Sequence, residues 1–228
     1  MYEVNLDLPV LFFGAGFMDG FLEDYHDGFG FPDYGRSARP HNAFLYEVKR
    51  DGRLIVKGSS RVKFGDIRLA VKKKLMTADS LSLSVKGDIE IPVSSSKQGF
   101  SNGSVDAGAA ILIDQKISDS IMAYLNLGAV FPGDVRGHET LDIDNFIHGG
   151  IALEADTGKG FFIIAQIQAQ SAIYPDTDLL AVDRDAYLLG IDGRYNKGKK
   201  SFELSLTEDI NTAGAPDFII NLTCKIDL

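Results

Sequence analysis

Tryptophan is missing from the chain, cysteine occurs once, at Cys224, and no stretch approaches the roughly 18 apolar residues that a membrane-spanning helix needs. A single cysteine excludes an internal disulfide and a thiolate metal cluster within one chain. Basic charge is in the minority: the formal net charge is −9 and Lys72-Lys73-Lys74 is too short a run to replace phosphate counterions, which argues against nucleic acid as a partner. No Gly-rich phosphate loop follows a strand and precedes a helix, and no nucleophile stands at a defensible spacing from a base, so neither an enzyme nor a cofactor is expected. Pro/Ser-rich linkers and low-complexity segments are missing too, which leaves one domain of 228 residues.

What the chain has is alternation. Leu81, Leu83, Val85, Ile89, Ile91 and Val93 alternate with Ser82, Ser84, Lys86, Asp88, Glu90 and Pro92, a period of two that belongs to a strand and not a helix. Ile67 to Leu75 does the same and joins that run through Met76-Thr77-Ala78-Asp79, which predicts a hairpin. Val105 to Ile113 and Ile121 to Phe131 form a second pair around Gln115-Lys116-Ile117-Ser118, and the pattern returns in Phe161 to Ala169, Phe202 to Leu206 and Phe218 to Leu228. These runs reach roughly ten residues, near what a tilted strand needs to cross a bilayer and longer than the usual five or six of soluble strands. Connections alternate between short ones (Met76–Asp79, Gln115–Ser118, Asp156–Gly160, Asn196–Lys200) and long ones (Ser94–Ser104, Pro132–Asn145, Ala172–Asp185), as in outer-membrane barrels. The expected fold is therefore an all-β, antiparallel, up-and-down transmembrane β-barrel of about 10–12 strands.

The first strand, Val4 to Phe12, carries Pro9, which suits an edge or a bulge, and it starts abruptly enough to expect upstream strand sequence and a secretory signal that are missing here. From Gly14 to Arg61 an external lid is expected. In it Phe17, Phe21 and Tyr25 recur at a helical interval, and Phe44 to Val56 reads as a small hairpin around Arg50-Asp51-Gly52-Arg53. On that helix Asp19, Glu23 and His26 fall on one side, where they form a candidate site for a divalent cation. The other reading of the three is simply the wet side of a lid helix.

The polar face of the strands collects Asp66, Arg68, Lys72, Lys86, Asp88, Glu90, Asp106, Glu154, Asp192, Arg194, Glu203 and Lys225 as lumen-lining candidates. One functional reading is a conduit whose charges select a small solute, an apolar one if the aromatic lid is a guide. A second is a structural barrel whose lumen is filled by cross-strand salt bridges. A third is a soluble ligand-binding barrel or sandwich with its apolar faces packed inward. The direction in which Leu83, Val85, Leu125 and Leu127 point separates the third from the others.

Four stretches carry a resemblance: GFMDGFLEDYHDGFGFPDYGR from Gly16 to Arg36, FGDIRLAVKKKL from Phe64 to Leu75, YLNLGAVFPGD from Tyr124 to Asp134 and LTEDINTAGAPDF from Leu206 to Phe218. By these the chain resembles a bacterial family of predicted outer-membrane proteins, domain of unknown function 3187. The resemblance implies a Gram-negative outer-membrane location, contact with outer-membrane lipid and assembly by the outer-membrane insertion machinery. Leu228, on the apolar face of the last strand, stands where such proteins usually end in Phe. The family brings no known chemistry with it.

Overall fold

The computed structural model describes residues 1–31, 37–174, 177, 183–211 and 218–227. Leu228 and parts of the Gly16–Arg36, Ala172–Asp185 and Leu206–Phe218 stretches lie outside the described residues. In chain order the elements are β1 (Tyr2–Asp7), β2 (Val10–Phe13), α1 (Asp19–Phe29), β3 (Glu47–Arg50), β4 (Arg53–Lys57), β5 (Arg61–Phe64), β6 (Ile67–Thr77), β7 (Leu81–Ile91), β8 (Asp106–Ser118) and β9 (Ile121–Phe131). They continue with β10 (Val135–Arg136), β11 (Thr140–Leu141), β12 (Phe146–Gly158), β13 (Phe161–Gln170), β14 (Ala186–Lys197), β15 (Lys200–Asp209) and β16 (Phe218–Ile226). Among the described residues no helix is long and apolar enough to cross a membrane.

Ten strands form one antiparallel meander in the order β1-β6-β7-β8-β9-β12-β13-β14-β15-β16, each paired with its neighbour in the chain once the lid and the small loop strands are set aside. Apart from the six residues of β1, these strands run from nine to thirteen residues. The expected closure into a barrel is corrected in one respect: the sheet is open, because among the described residues no ladder joins β1 to β16. Pairing along β1 stops at Asp7, two residues before Pro9, which has no N–H to give a ladder. The two edges nevertheless approach each other. Lys225 on β16 lies within electrostatic reach of Glu3 on β1, and Tyr25 of α1 sits 5.8 Å, ring to ring, from Phe218 at the start of β16.

The curl has a definite sense, and it is the reverse of a soluble protein's. Side chains on the polar face are covered: Ser84, Glu154, Asp192, Ser205, Thr207 and Asp209 are all buried. On the opposite face Leu125, Leu127, Ile151, Ile163, Ile167, Ile191 and Leu204 are all exposed, with Ile151 at 59% and Ile191 at 58%. Leu83 and Val85, on that same face, are half-buried. A soluble barrel or sandwich needs its aliphatic rows inside, where burial is worth roughly 25 cal/mol per Å². Here the rows that would supply that term face outward, so the sandwich reading is disfavoured.

Both chain ends of the meander lie at the end with the short turns, since Tyr2 pairs with Lys73 and Ile226 with Lys200. The other end carries the long connections, and there the only cluster of fully buried aliphatic side chains among the described residues is found. Ile55 and Val56 of β4 meet Leu141 of β11, with Val48, Val135, Ile143 and Tyr174 around them. The β3–β4 hairpin expected around Asp51-Gly52 is present, and both residues have positive φ (51° and 76°), the backbone of a tight hairpin turn. Lys49 and Lys57 hydrogen-bond the Glu47 carboxylate and hold its pKa below the usual range. Next to this hairpin, Phe13 stacks on the buried Phe100 at 4.2 Å and meets Tyr46 edge-on at 5.3 Å.

The hairpin is clamped by a backbone hydrogen bond from His138 N–H to Ile55 C=O at 2.8 Å. A Cβ at Gly137 would lie 2.1 Å from that same oxygen. Gly137→Ala should therefore unseat the β3–β4 hairpin at a cost of about 1–3 kcal/mol. Trypsin cleavage after Arg50 and Arg53 should accelerate while the strand signal in circular dichroism stays unchanged.

Candidate functional site

Strand register assigns all twelve candidate interior residues to one face. Ladders link Arg68 to Glu90, Lys72 to Lys86, Glu90 to Asp106, Arg194 to Glu203 and Lys225 to Ser201, and the remaining candidates follow by the two-residue period. This concave face divides into three levels along its length.

Toward the short turns side chains bridge neighbouring strands. The Arg194 guanidinium donates to Glu154 Oε1 at 2.6 Å, reaching across β13 to do so, and it lies over the Phe162 ring at 4.8 Å. Tyr124 Oη donates to the other Glu154 oxygen at 3.2 Å, and Gln166 Nε2 donates to Asp192 Oδ2 at 2.8 Å. Lys72 pairs with Glu3 at 2.6 Å toward the β1 edge. Toward the long connections, carboxylates fix backbone: Asp66 accepts from Val93 N–H, and Asp106 accepts from Gly133 N–H and the Asn102 amide. Arg68 and Lys86 approach Asp88 at 3.4 and 3.6 Å.

Between these ends lies open space. One cavity of about 250 Å³ is lined by Lys86, Ala110, Asn126, His148, Gly150, Gln166 and Gln168, among others. A second of about 240 Å³ touches Arg68, Lys86, Asp88, Glu90, Asp106 and His148. Asn126 and Gln168 remain exposed although they lie on the covered face, which marks the space as wide enough for water.

The space exists because glycines stand directly across from the large polar side chains. Gly108 pairs with Asp88, Gly128 with His148, Gly150 with Gln168 and Gly190 with Gln166. A Cβ at Gly128 would come within 2.5 Å of His148 Nε2, and one at Gly190 within 2.7 Å of Gln166 Cγ. Inward-curving strands crowd their concave side, and a glycine lets the partner's side chain lie flat across the backbone. His148, Asn126, Gln166 and Gln168 were not among the twelve residues picked out by charge. The signal that finds them is glycine recurring at wet-face positions of consecutive strands.

The lid residues are brought together differently from the sequence expectation. Asp19, Glu23 and His26 do share a side of α1, but Asp19 Oδ2 accepts from Asn42 N–H at 2.6 Å and Glu23 pairs with His41 Nε2 at 3.1 Å. Among the described residues no three or more His, Cys, Asp or Glu side chains converge as metal ligands would. Phe17 and Phe21 point outward, Phe17 at 89% exposure, while Tyr25 packs on Phe29, Phe31 and Phe218. The aromatics that cover the long-connection end are instead Phe13, Phe44, Tyr46 and Phe100.

An antiparallel ten-stranded meander with its polar side covered and its apolar side bare defines an all-β protein of inverted polarity. The chain belongs to the family described as Protein of unknown function (DUF3187), whose model matches residues 1–226. Among curated proteins none matches it.

Glu154 is only 7% exposed, so removing its partner leaves a charge with one neutral donor in a covered place. Arg194→Leu should destabilise the fold by about 2–3 kcal/mol, somewhat less than for a fully buried pair because the arginine keeps contact with water. The double variant Glu154→Leu/Arg194→Leu should cost less than Arg194→Leu alone. Denaturant unfolding of the four proteins of the cycle measures both quantities.

Proposed function

We propose that the protein is an outer-membrane β-barrel whose polar interior passes or binds a small polar solute, with the β3–β4 hairpin as a lid over the externally facing end. The observation that carries this reading is the bare aliphatic face, which has hydrocarbon as its natural solvent. Two rows of outward aromatics frame it. Phe161, Tyr195 and Phe202 are ladder partners near the short turns, and Tyr187 and Phe131 lie toward the other end. Tyr187 and Tyr195 are eight residues apart on β14, about 26 Å along the strand, which suits an apolar band flanked by aromatic girdles.

In this reading the seam between β1 and β16 is where the barrel closes, and outer-membrane lipid and the insertion machinery are its partners. Between the two ends the lining mixes apolar groups such as Leu112 and Ala152 with Lys86, Asn126, His148, Gln166 and Gln168, whose polar groups a polar solute can meet. A structural barrel with a packed lumen is the second reading, supported by the Tyr124–Glu154–Arg194 network across the short-turn end. Current through planar bilayers separates the two, since the packed barrel conducts nothing.

The lone cysteine makes the membrane test clean. In a Cys224→Ser background, Ile191→Cys should resist a membrane-impermeant maleimide in intact outer membranes and Gln168→Cys should react. Ready labelling at position 191 in the inserted protein would overturn the reading.

A further inference from the structure

We propose that the two adjoining cavities on the concave face form one site for a small zwitterion of dipeptide size, with its ammonium at Glu90 and its carboxylate among Lys86, Asn126 and His148. The inference rests on the reading that this face lines an enclosed interior. The cavities share the row Lys86–Ala110–Gly128–His148 as a common boundary, with Lys86, Ala110 and His148 lining both.

Hydrogen-bonding capacity singles out the residues. Asp66 and Asp106 are occupied by backbone N–H groups, and Asp88 is flanked by Arg68 and Lys86. The side chains of Glu90, Asn126 and His148 make no hydrogen bond or ion pair with the described residues. All three line this space, Glu90 on one side of the shared row and Asn126 on the other. The two ends therefore differ in sign. Around Glu90 stand Asp66, Asp88 and Asp106, set against Arg68, its ladder partner on β6, so this end carries an excess of negative charge that a bound ammonium relieves. Around Asn126 stand amides, an imidazole and the Lys86 ammonium, all able to donate to a carboxylate.

Spacing sets the size. Glu90 and Lys86 are four residues apart on one face of β7, about 13 Å between Cα atoms, and the reach of the two side chains shortens the gap between their charges. A dipeptide places its charges farther apart than an α-amino acid can, and it fits the gap that remains. Gly128 keeps the middle of the site clear, because a side chain there would meet the His148 ring.

The test uses the full chain in detergent micelles for saturation-transfer NMR and in liposomes for swelling. Its probes are glycylglycine, N-acetylglycine, which lacks the ammonium, and glycinamide, which lacks the carboxylate. Glycylglycine should bind about tenfold better than either, the worth of one charge-assisted contact. Glu90→Gln should erase its advantage over N-acetylglycine, and Lys86→Met its advantage over glycinamide. Variant folding is verified by circular dichroism. Equal binding of all three probes, or a preference that neither variant changes, overturns the zwitterion site. Failure of every solute to swell liposomes that hold inserted protein overturns the conduit reading instead, whatever the micelle titrations give.

Discussion

A backbone that must pair all its N–H and C=O groups, in a chain whose side chains sort by the second residue, is the constraint from which the rest of the structure follows. The ten-stranded meander pairs every strand with its sequence neighbours and leaves only the outer edges of β1 and β16 without a ladder. Alternation then produces two faces of opposite character, and the direction of curl decides which one is covered. In this chain it is the polar one. Among the described residues, the clustered apolar core that a soluble sheet would have between its layers is found here at the lid hairpin, where Ile55 and Val56 meet Leu141. The sheet itself must draw on ladder hydrogen bonds, on contacts such as Arg194–Glu154 and on whatever covers its outer face.

That distribution explains why glycine matters more inside this fold than its usual place in turns suggests. On the concave face neighbouring strands bring their side chains together, and full-sized residues at every position would collide. Placing Gly128 across from His148 and Gly190 across from Gln166 lets one large side chain use the room of two positions. The outcome is graded along the strands: dense hydrogen bonding at the short-turn end, a lid at the other and hydrated space between.

The architecture was legible in the sequence because it is periodic. Strand pairs, the alternation of short and long connections, the Asp51-Gly52 hairpin and the helix around Phe21 and Tyr25 each rest on a local signal, and the structure has all of them. The twelve charged residues share one face because a period of two fixes them once a single strand is oriented. The openness of the sheet was not legible, since closure is set by the register and curl of distant strands and by where β1 stops pairing. Nor was the composition of the lid core: the burial of Phe100 against Phe13 depends on a loop after β7 folding toward a strand near the amino terminus, and no short-range pattern encodes that meeting. The partners of the candidate cation trio were not legible for a related reason. Helical spacing aligned Asp19 and Glu23 correctly, but partners on a distant loop, Asn42 and His41, took up both carboxylates.

The seam between the two edge strands is where these constraints meet. Edges of a sheet attract other strands, and a ten-stranded sheet with two bare edges in water would aggregate. In this chain the two edges come within electrostatic reach at the short-turn end, through Glu3 and Lys225, while at the other end helix α1 meets the start of β16, through Tyr25 on Phe218. Helix α1 turns Asp19 and Glu23 toward the 41–42 loop and leaves Phe21 and Phe29 exposed, while Tyr25 packs on Phe218 of the edge strand. The helix therefore belongs to the seam: one part of it is held by the 41–42 loop and another supplies the ring that meets the free edge strand, so the lid region lies against the open side of the sheet.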